Sequence, residues 1–307
     1  METVIEARSL TTQGKLKQSL KGVHFQTQTG QKVGFFFLDQ ENNEDLFRLF
    51  SGQAAPTAGE LIVLGYPMGT KNGEVKELTA VIDSEENLEE SFTVREYLNI
   101  FVGYYGLSVK NQRINILEAL RIAEIEDKED DLVFDLTHCE RRQLLIARSL
   151  VVNAKVIYVK NITKYLEHRD ILYIRKLFKK IKGVTVCIFT DDLDDVEDIC
   201  DEAYFFKQGQ IFISGNPKQL IKENMGKEVV EFTINKKEYA YFSQRIKDNY
   251  DFQYSDGVLK VYLNIGQDSM TLLSLILCDQ VVIRRPNLQD VITKKFSIKL
   301  VDNKEQK

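Results

Sequence analysis

An α/β chain followed by a smaller α+β domain is predicted by three features of the sequence. Apolar runs of strand length alternate with amphipathic helical patterns through the first two thirds of the chain. Several of those runs are continuously apolar, as strands covered on both faces of a parallel sheet must be. After "NPKQLIKEN" the pattern restarts with shorter, mixed elements.

The strand-like runs come in the order "KVGFFFL", "ELIVLG", "TAVID", "AKVIYV", "GVTVCIFT" and "EAYFFKQGQIFISG". They are rich in β-branched and aromatic residues, whose side chains pack well on a pleated surface. Between them "EDLFRLFSG", "TVREYLNIFVGYYG", "NILEALRIAEI", "RRQLLIARSLVV" and "ILYIRKLFKKIKG" place apolar residues three and four apart, so each presents one apolar helical face. Strands that alternate with helices in this way build a layered α/β unit. The second domain reads as strand "EVVEFTI", helix "KEYAYFSQRIKDNY", a hairpin around Asp256 and Gly257, helix "SMTLLSLILC", strand "QVVIRR" and a last helix from Pro286. The expected organisation is a first domain over 1–225, an accessory α+β domain over 226–300 and a disordered tail over 301–307.

Composition narrows the chemistry. With 43% hydrophobic and 28% charged residues and a net charge of −5, the 307-residue chain lacks the basic excess of a nucleic-acid binder. Cys139, Cys187, Cys200 and Cys278 form no CxxC pair, which favours reduced thiols and argues against a metal site. No apolar run approaches the roughly 20 residues a membrane-spanning helix needs, so contact with a membrane is expected to go through a partner. The acidic runs "EIEDKEDD" and "DDLDDVED" read as solvated loops and helix faces. His24, His138 and His168 have no nucleophile or metal partner in sequence and read as ordinary surface or half-buried residues.

One turn is unusual. In "VGFFFLDQENNEDLFRLFSG" a buried strand meets a helix through a segment that carries Asp39, Glu41, Glu44 and Asp45. The longer stretch "GQKVGFFFLDQENNEDLFRLFSGQAAPTAGELIVLGYPM" resembles, without a gap, the strand, phosphate loop and helix of the ATP-binding subunits of ABC transporters, in particular of the drug- and antibiotic-resistance exporter type. "TVREYLNIFVGYYGL" is similar to the start of that family's helical subdomain, here about 86–150. "DLTHCERRQLLIARSLVVNAKVIYVKNIT" is similar to its signature helix and Walker B strand. "GVTVCIFTDDLDDVEDICDEAYFFKQGQIFISGNPKQL" resembles its switch strand, and "IRRPNLQDVI", with Pro286 to Val291, the motif that closes the accessory domain. The resemblance implies a P-loop NTPase-like ABC ATPase fold with a helical subdomain, and an activity of ATP hydrolysis coupled to transport.

The chemistry departs from the family at each nucleotide position. A Walker A loop, GxxxxGK[ST], turns backbone N–H groups inward around phosphates, reaches them with a lysine and holds magnesium with a hydroxyl. The matching positions here are Phe37, Gln40 and Asn42 for the glycines, Asn43 for the lysine, and Glu44 and Asp45 for the hydroxyls. A carboxylate about 6 Å from a phosphate charge costs about 3 kcal/mol at an effective dielectric of about 20. Binding at ~100 μM is worth only about 5 to 6 kcal/mol, so one or two such contacts remove useful affinity. Asn42 or Asn43 as cap, with Glu44 and Asp45 in the first turn, is expected to satisfy the helix N-terminus internally.

The other motifs follow suit. Lys160 and Asn161 stand at the positions of the Walker B aspartate and catalytic glutamate; a lysine cannot bind magnesium and an asparagine cannot take a proton from water. The signature LSGGQ corresponds to Leu136, Thr137, His138, Cys139 and Glu140, and the switch histidine to Asp191. The glutamine-loop position falls on Ser84 or Glu85, and no aromatic stands near Gln13 and Gly14, where the family stacks adenine.

These readings predict no catalytic residue, no nucleotide-binding residue, no metal and no cofactor, with ATP and Mg2+ only if the family activity persists. The predicted role is a non-catalytic structural or regulatory exporter subunit, cytoplasmic and peripheral on the inner face of the cell membrane. A membrane permease subunit is the implied partner, with an intact ATPase subunit as a second. An atypical ATPase that still powers export and a soluble adaptor remain as alternatives. Tyr97, Phe101, Tyr104 and Tyr105 stripe one helix face and are read either as subdomain core or as part of the surface that receives the permease.

Overall fold

The computed structural model describes residues 2–13, 18–38, 43–69, 73–85, 87–106, 112–276, 278 and 280–295. The chain divides into two compact units, 1–216 and 217–307, the division falling ahead of the expected boundary near 225. The tail 301–307 lies outside the described residues.

The first unit runs β1 (Thr3–Gln13), β2 (Gln18–Gln28), β3 (Lys32–Phe37), α1 (Asn43–Phe50), β4 (Ala58–Val63), β5 (Tyr66–Pro67), α2 (Gly73–Glu77), β6 (Thr79–Asp83), α3 (Val94–Tyr104), α4 (Gln112–Ile122), α5 (His138–Val151), β7 (Val156–Lys160), α6 (His168–Lys180), β8 (Thr185–Phe189), α7 (Leu193–Ile199), β9 (Glu202–Lys207) and β10 (Gln210–Gly215). Among the described residues two sheets form, with strand orders β2-β1-β4-β5 and β10-β9-β3-β8-β7-β6. The first is antiparallel. The second is parallel except for the edge strand β10.

The runs "KVGFFFL", "AKVIYV" and "GVTVCIFT" become the inner strands β3, β7 and β8 of the parallel sheet, whereas "TAVID" forms its edge strand β6 and "ELIVLG" joins the antiparallel sheet as β4. All six residues of β3 are buried, because the strand is covered on both faces. Its Phe35 ring packs against Phe50 of α1 and Phe189 of β8, with centroids 5.3 and 5.1 Å apart. Phe35, Phe50, Phe189 and Phe206 are each less than 2% exposed, and burying such a ring contributes about 1.5–3 kcal/mol. The run "EAYFFKQGQIFISG" splits into β9 and β10 at Gln208 and Gly209, whose φ values of 52° and 79° make the left-handed two-residue turn that a twisted hairpin requires. The hairpin of β1 and β2 lies outside the strand-like runs of the sequence. Its apolar Ile5, Ala7 and Leu10 are interrupted by Glu6, Arg8 and Ser9, and the register shifts between Ala7 and Leu10.

The second unit runs α8 (Pro217–Asn224), β11 (Glu228–Thr233), α9 (Lys236–Ile246), β12 (Asp251–Ser255), β13 (Val258–Leu263), α10 (Ser269–Leu275), β14 (Val281–Arg284) and a last helix, α11, over 288–295. Its sheet has the order β12-β13-β11-β14 with antiparallel neighbours, the arrangement of two interleaved β-α-β units. The segment "RPNLQDVI" closes it: Asp290 is buried and its carboxylate accepts from both terminal nitrogens of Arg284, at 2.6 and 2.8 Å.

Candidate functional site

Ligands of open α/β sheets sit beyond the carboxyl ends of the strands, so the residues that end β3, β6, β7 and β8 are the place to look. Phe37 ends β3 as a buried ring stacked on Phe206, with centroids 4.7 Å apart. Gln40 and Asn42, with Asp39 and Glu41, lie outside the described residues, as do Gly14 and the side chains of Gln13 and Asn43; the expected asparagine cap of α1 therefore falls outside them too. What is described begins at Glu44, in the first turn of α1 with Asp45.

Glu44 reaches across to the end of β7. Its Oε2 stands 2.6 Å from Nζ of Lys160, and Oδ2 of Asp83, at the end of β6, stands 3.3 Å from the same nitrogen. The lysine stem lies against Phe47, with Nζ 5.4 Å from the ring centroid. Burial alone would lower the Lys160 pKa, but the hydrogen bond to Glu44 and the charges of Asp83 and Glu44 outweigh it and hold the pKa above its ordinary value. One ammonium thus stands between two carboxylates from two other elements. Lys164, just beyond, bonds Glu85 at 2.7 Å, while the Ser84 hydroxyl between Asp83 and Glu85 is buried without a partner among the described residues. Asn161 takes a left-handed φ of 47° and donates its backbone N–H to Phe189 O at 2.9 Å, which extends the pairing of β7 with β8 by one bond at the carboxyl end of the sheet.

The signature positions close on themselves. Leu136 is buried, and Thr137 caps α5. Its Oγ1 accepts from Glu140 N at 3.3 Å and donates to Glu140 Oε2 at 2.8 Å, and the same carboxylate oxygen accepts from Thr137 N at 2.8 Å. A reciprocal box of this kind satisfies N–H groups that a helix N-terminus otherwise offers to an anion. Burial pushes Glu140 up, but its bonds from Thr137 win and leave the pKa below the ordinary value. The internal cap expected for α1 is thus seen at α5. Cys139 is buried and its thiol is pushed up to about 11, chiefly by burial and then by Asp170 and Glu140, so it is no nucleophile at neutral pH.

His138 and His168 are exposed. His24 is exposed as well, with Ser9 Oγ 3.2 Å from Nε2. Because Ser9 N donates to Nδ1 at 3.3 Å, the neutral ring carries its proton on Nε2 and cannot serve as base to that hydroxyl. Among the described residues no group of three or more His, Cys, Asp or Glu side chains is placed to hold a metal ion.

Beyond the end of β8, Asp191 is exposed at the switch position. Its neighbours correct the reading of "DDLDDVED" as solvated throughout: Asp195 is wholly buried. Its carboxylate accepts from Thr163 Oγ1 at 2.6 Å, Thr190 Oγ1 at 3.1 Å and Arg175 Nε at 2.7 Å. Burial raises the Asp195 pKa, against the lowering effect of Thr163 and Arg175. The sequence held one signal for this network, an arginine on the otherwise apolar face of "ILYIRKLF".

The aromatic stripe of α3 is divided by the fold. Tyr97 is 3% exposed and its hydroxyl accepts from Arg148 Nη1 at 2.9 Å, so it belongs to the core side of the two readings. Phe101 lies beneath the Arg148 guanidinium, 4.8 Å from the ring centroid. Tyr105 donates to Thr79 O at 3.2 Å, whereas Tyr104 is 85% exposed. Two cavities, of about 400 and about 410 Å³, share Val81 and Tyr105 and so follow one groove along the free edge of β6. Phe101, Asp83 and Glu85 line the first, and Tyr104 the second.

Residues 45–163 match the ABC transporter family. The Nod factor export ATP-binding protein I of Rhizobium sp. (strain N33) is 28% identical over 217 residues, which are 70% of this chain and 71% of that protein. Its counterpart from Burkholderia orbicola (strain AU 1054) is 27% identical over the same shares. Among solved structures, cbiO1 from Clostridium perfringens, part of the ABC transporter complex cbiONQ, superposes with a TM-score of 0.65 at 22% identity, over 73% of this chain and 92% of that one. An ATP-binding cassette of an ABC transporter in its ADP conformation gives a TM-score of 0.64 at 16% identity, over 73% and 95%. The shared fold is thus that of ABC ATPase nucleotide-binding domains.

Proposed function

Because this chain belongs to the ATP-binding subunits of ABC transporters, we propose that it serves as a non-catalytic subunit of an exporter, docked on a membrane permease. Its named relatives are export ATP-binding proteins, which supports the exporter class. The observation that carries the rest is the ion pair of Glu44 with Lys160. The two positions that the family uses for the nucleotide's magnesium are bonded to each other, and the charge at one of them is inverted. Such residues do not fit a metal-bound triphosphate: Lys160 repels a divalent cation, Glu44 repels phosphate, and Asn161 offers no base. At the signature position the capping box of α5 ties up the Thr137 hydroxyl and the N–H groups of Thr137 and Glu140.

The groove along β6 is where binding remains. It is open, floored by Val81 and walled by Phe101, Tyr104 and Tyr105, and it suits an amphipathic helix of the permease. Among the described residues no helix is long and apolar enough to cross a membrane; in the proposed arrangement the permease seated in this groove supplies the attachment. Calorimetry with ATP and magnesium is expected to show no binding tighter than millimolar, and purification from membranes to bring down a permease. Micromolar, magnesium-dependent affinity overturns the non-catalytic reading.

A further inference from the structure

We propose that Lys160 is a built-in cation: its ammonium fills the place between the carboxylates of Glu44 and Asp83 that a divalent cation would otherwise take. The inference rests on the non-catalytic reading and names what closes the site. Glu44 Oε2 and Asp83 Oδ2 converge on a single nitrogen from the start of α1 and the end of β6, while the lysine arrives from the end of β7. The carboxylates are 54% and 25% exposed and the lysine 16%, so the site lies at the surface of the crevice with water within reach. Two carboxylates and several waters are what a magnesium- or manganese-type ion ordinarily accepts from a protein.

The attached ammonium differs from a metal ion in one respect that matters for regulation. It does not dissociate, so α1, β6 and β7 stay tied whether or not nucleotide or metal is in solution. Asp83 also lines the groove along β6, so the same tie sets one wall of the docking surface.

The test is Mn2+ binding followed by electron paramagnetic resonance on the full chain. Lys160→Met keeps the apolar stem against Phe47 and removes only the charge. It is expected to bind one Mn2+ at least about tenfold tighter than wild type, since two carboxylates and several waters suit such an ion. Adding Glu44→Gln to Lys160→Met should return binding to the wild-type level. A wild type that binds Mn2+ as well as Lys160→Met, or a Lys160→Met that binds no better than the double variant, overturns the proposal. Lys160→Gln is judged by the same criteria if the methionine variant does not fold. The outcomes separate from those of the non-catalytic reading: wild-type uptake of ATP with magnesium overturns that reading, whereas an inert wild type beside an inert Lys160→Met overturns only the built-in cation.

Discussion

The crevice at the ends of β3, β7 and β8 and the groove along β6 are neighbours built on the same sheet, and they have opposite chemistry. In the crevice, Lys160 is met by Glu44 and Asp83, and Asp195 by Arg175 and two hydroxyls. In the groove, Tyr104 stands 85% exposed, while Phe101 beneath Arg148 and Tyr105 bonded to Thr79 O line the walls. Polar groups withdrawn from water must be paired or they destabilise the fold, and in the crevice the side chains answer one another. Exposed aromatics face no such demand, and a solvated Tyr104 is compatible with a stable chain that awaits a partner. The difference teaches that two neighbouring surfaces of one sheet can satisfy their side chains in different ways, the crevice by ion pairs and hydrogen bonds and the groove by leaving the Tyr104 ring in solvent.

The comparison breaks or sharpens at four points. Asp195→Ala should have the largest effect, since it leaves the Arg175 guanidinium buried without its main partner; a loss of about 3–5 kcal/mol is expected in urea unfolding. A loss under about 1 kcal/mol would mean that the crevice side is not held by its charges. Lys160→Met should cost about 1–2 kcal/mol, less because Glu44 is half exposed and solvent screens the pair. Its pH signature is specific. The folded Lys160 pKa lies above the ordinary ~10.4, so the stability it supplies is complete below that value and lost as pH rises through the folded pKa. The melting gap between wild type and Lys160→Met should therefore be flat from pH 7 to 9 and close above about 10.4. A gap that instead closes toward acid would assign the stability to the carboxylates alone.

Glu140→Ala removes one half of the cap on α5 and should cost about 1 kcal/mol, read as a small drop in urea midpoint with unchanged slope. Tyr104→Glu should have the smallest effect on stability, within a few degrees of melting temperature or about 1 kcal/mol, yet abolish co-purification with the permease. A Tyr104→Glu chain that stays membrane-bound would remove this ring from the docking surface, and one that unfolds would place it with the paired crevice rather than the open groove.

The α/β class and the alternation of strands and helices from β3 onward were legible in the sequence, as were the residues that depart from the nucleotide motifs, because periodicity and motif spacing are local properties. The continuously apolar "KVGFFF" could only be a strand covered on both faces, and it is one. The polar-interrupted hairpin of β1 and β2 was not legible, since a shifted register blurs the two-residue period. Periodicity placed Tyr97 and Tyr104 on one stripe of α3; only the approach of Arg148 from α5 decided that the first is core and the second is surface. In the same way "DDLDDVED" declared its charge but not that Asp195 would be enclosed by Arg175, Thr163 and Thr190. Lys160 was visible as a lost aspartate, while its embrace by Glu44 and Asp83 joins residues far apart in the chain. Local sequence sets which face of an element is apolar and what chemistry is missing; the pairing of charges depends on which elements pack together, and that is decided only when the sheet is assembled.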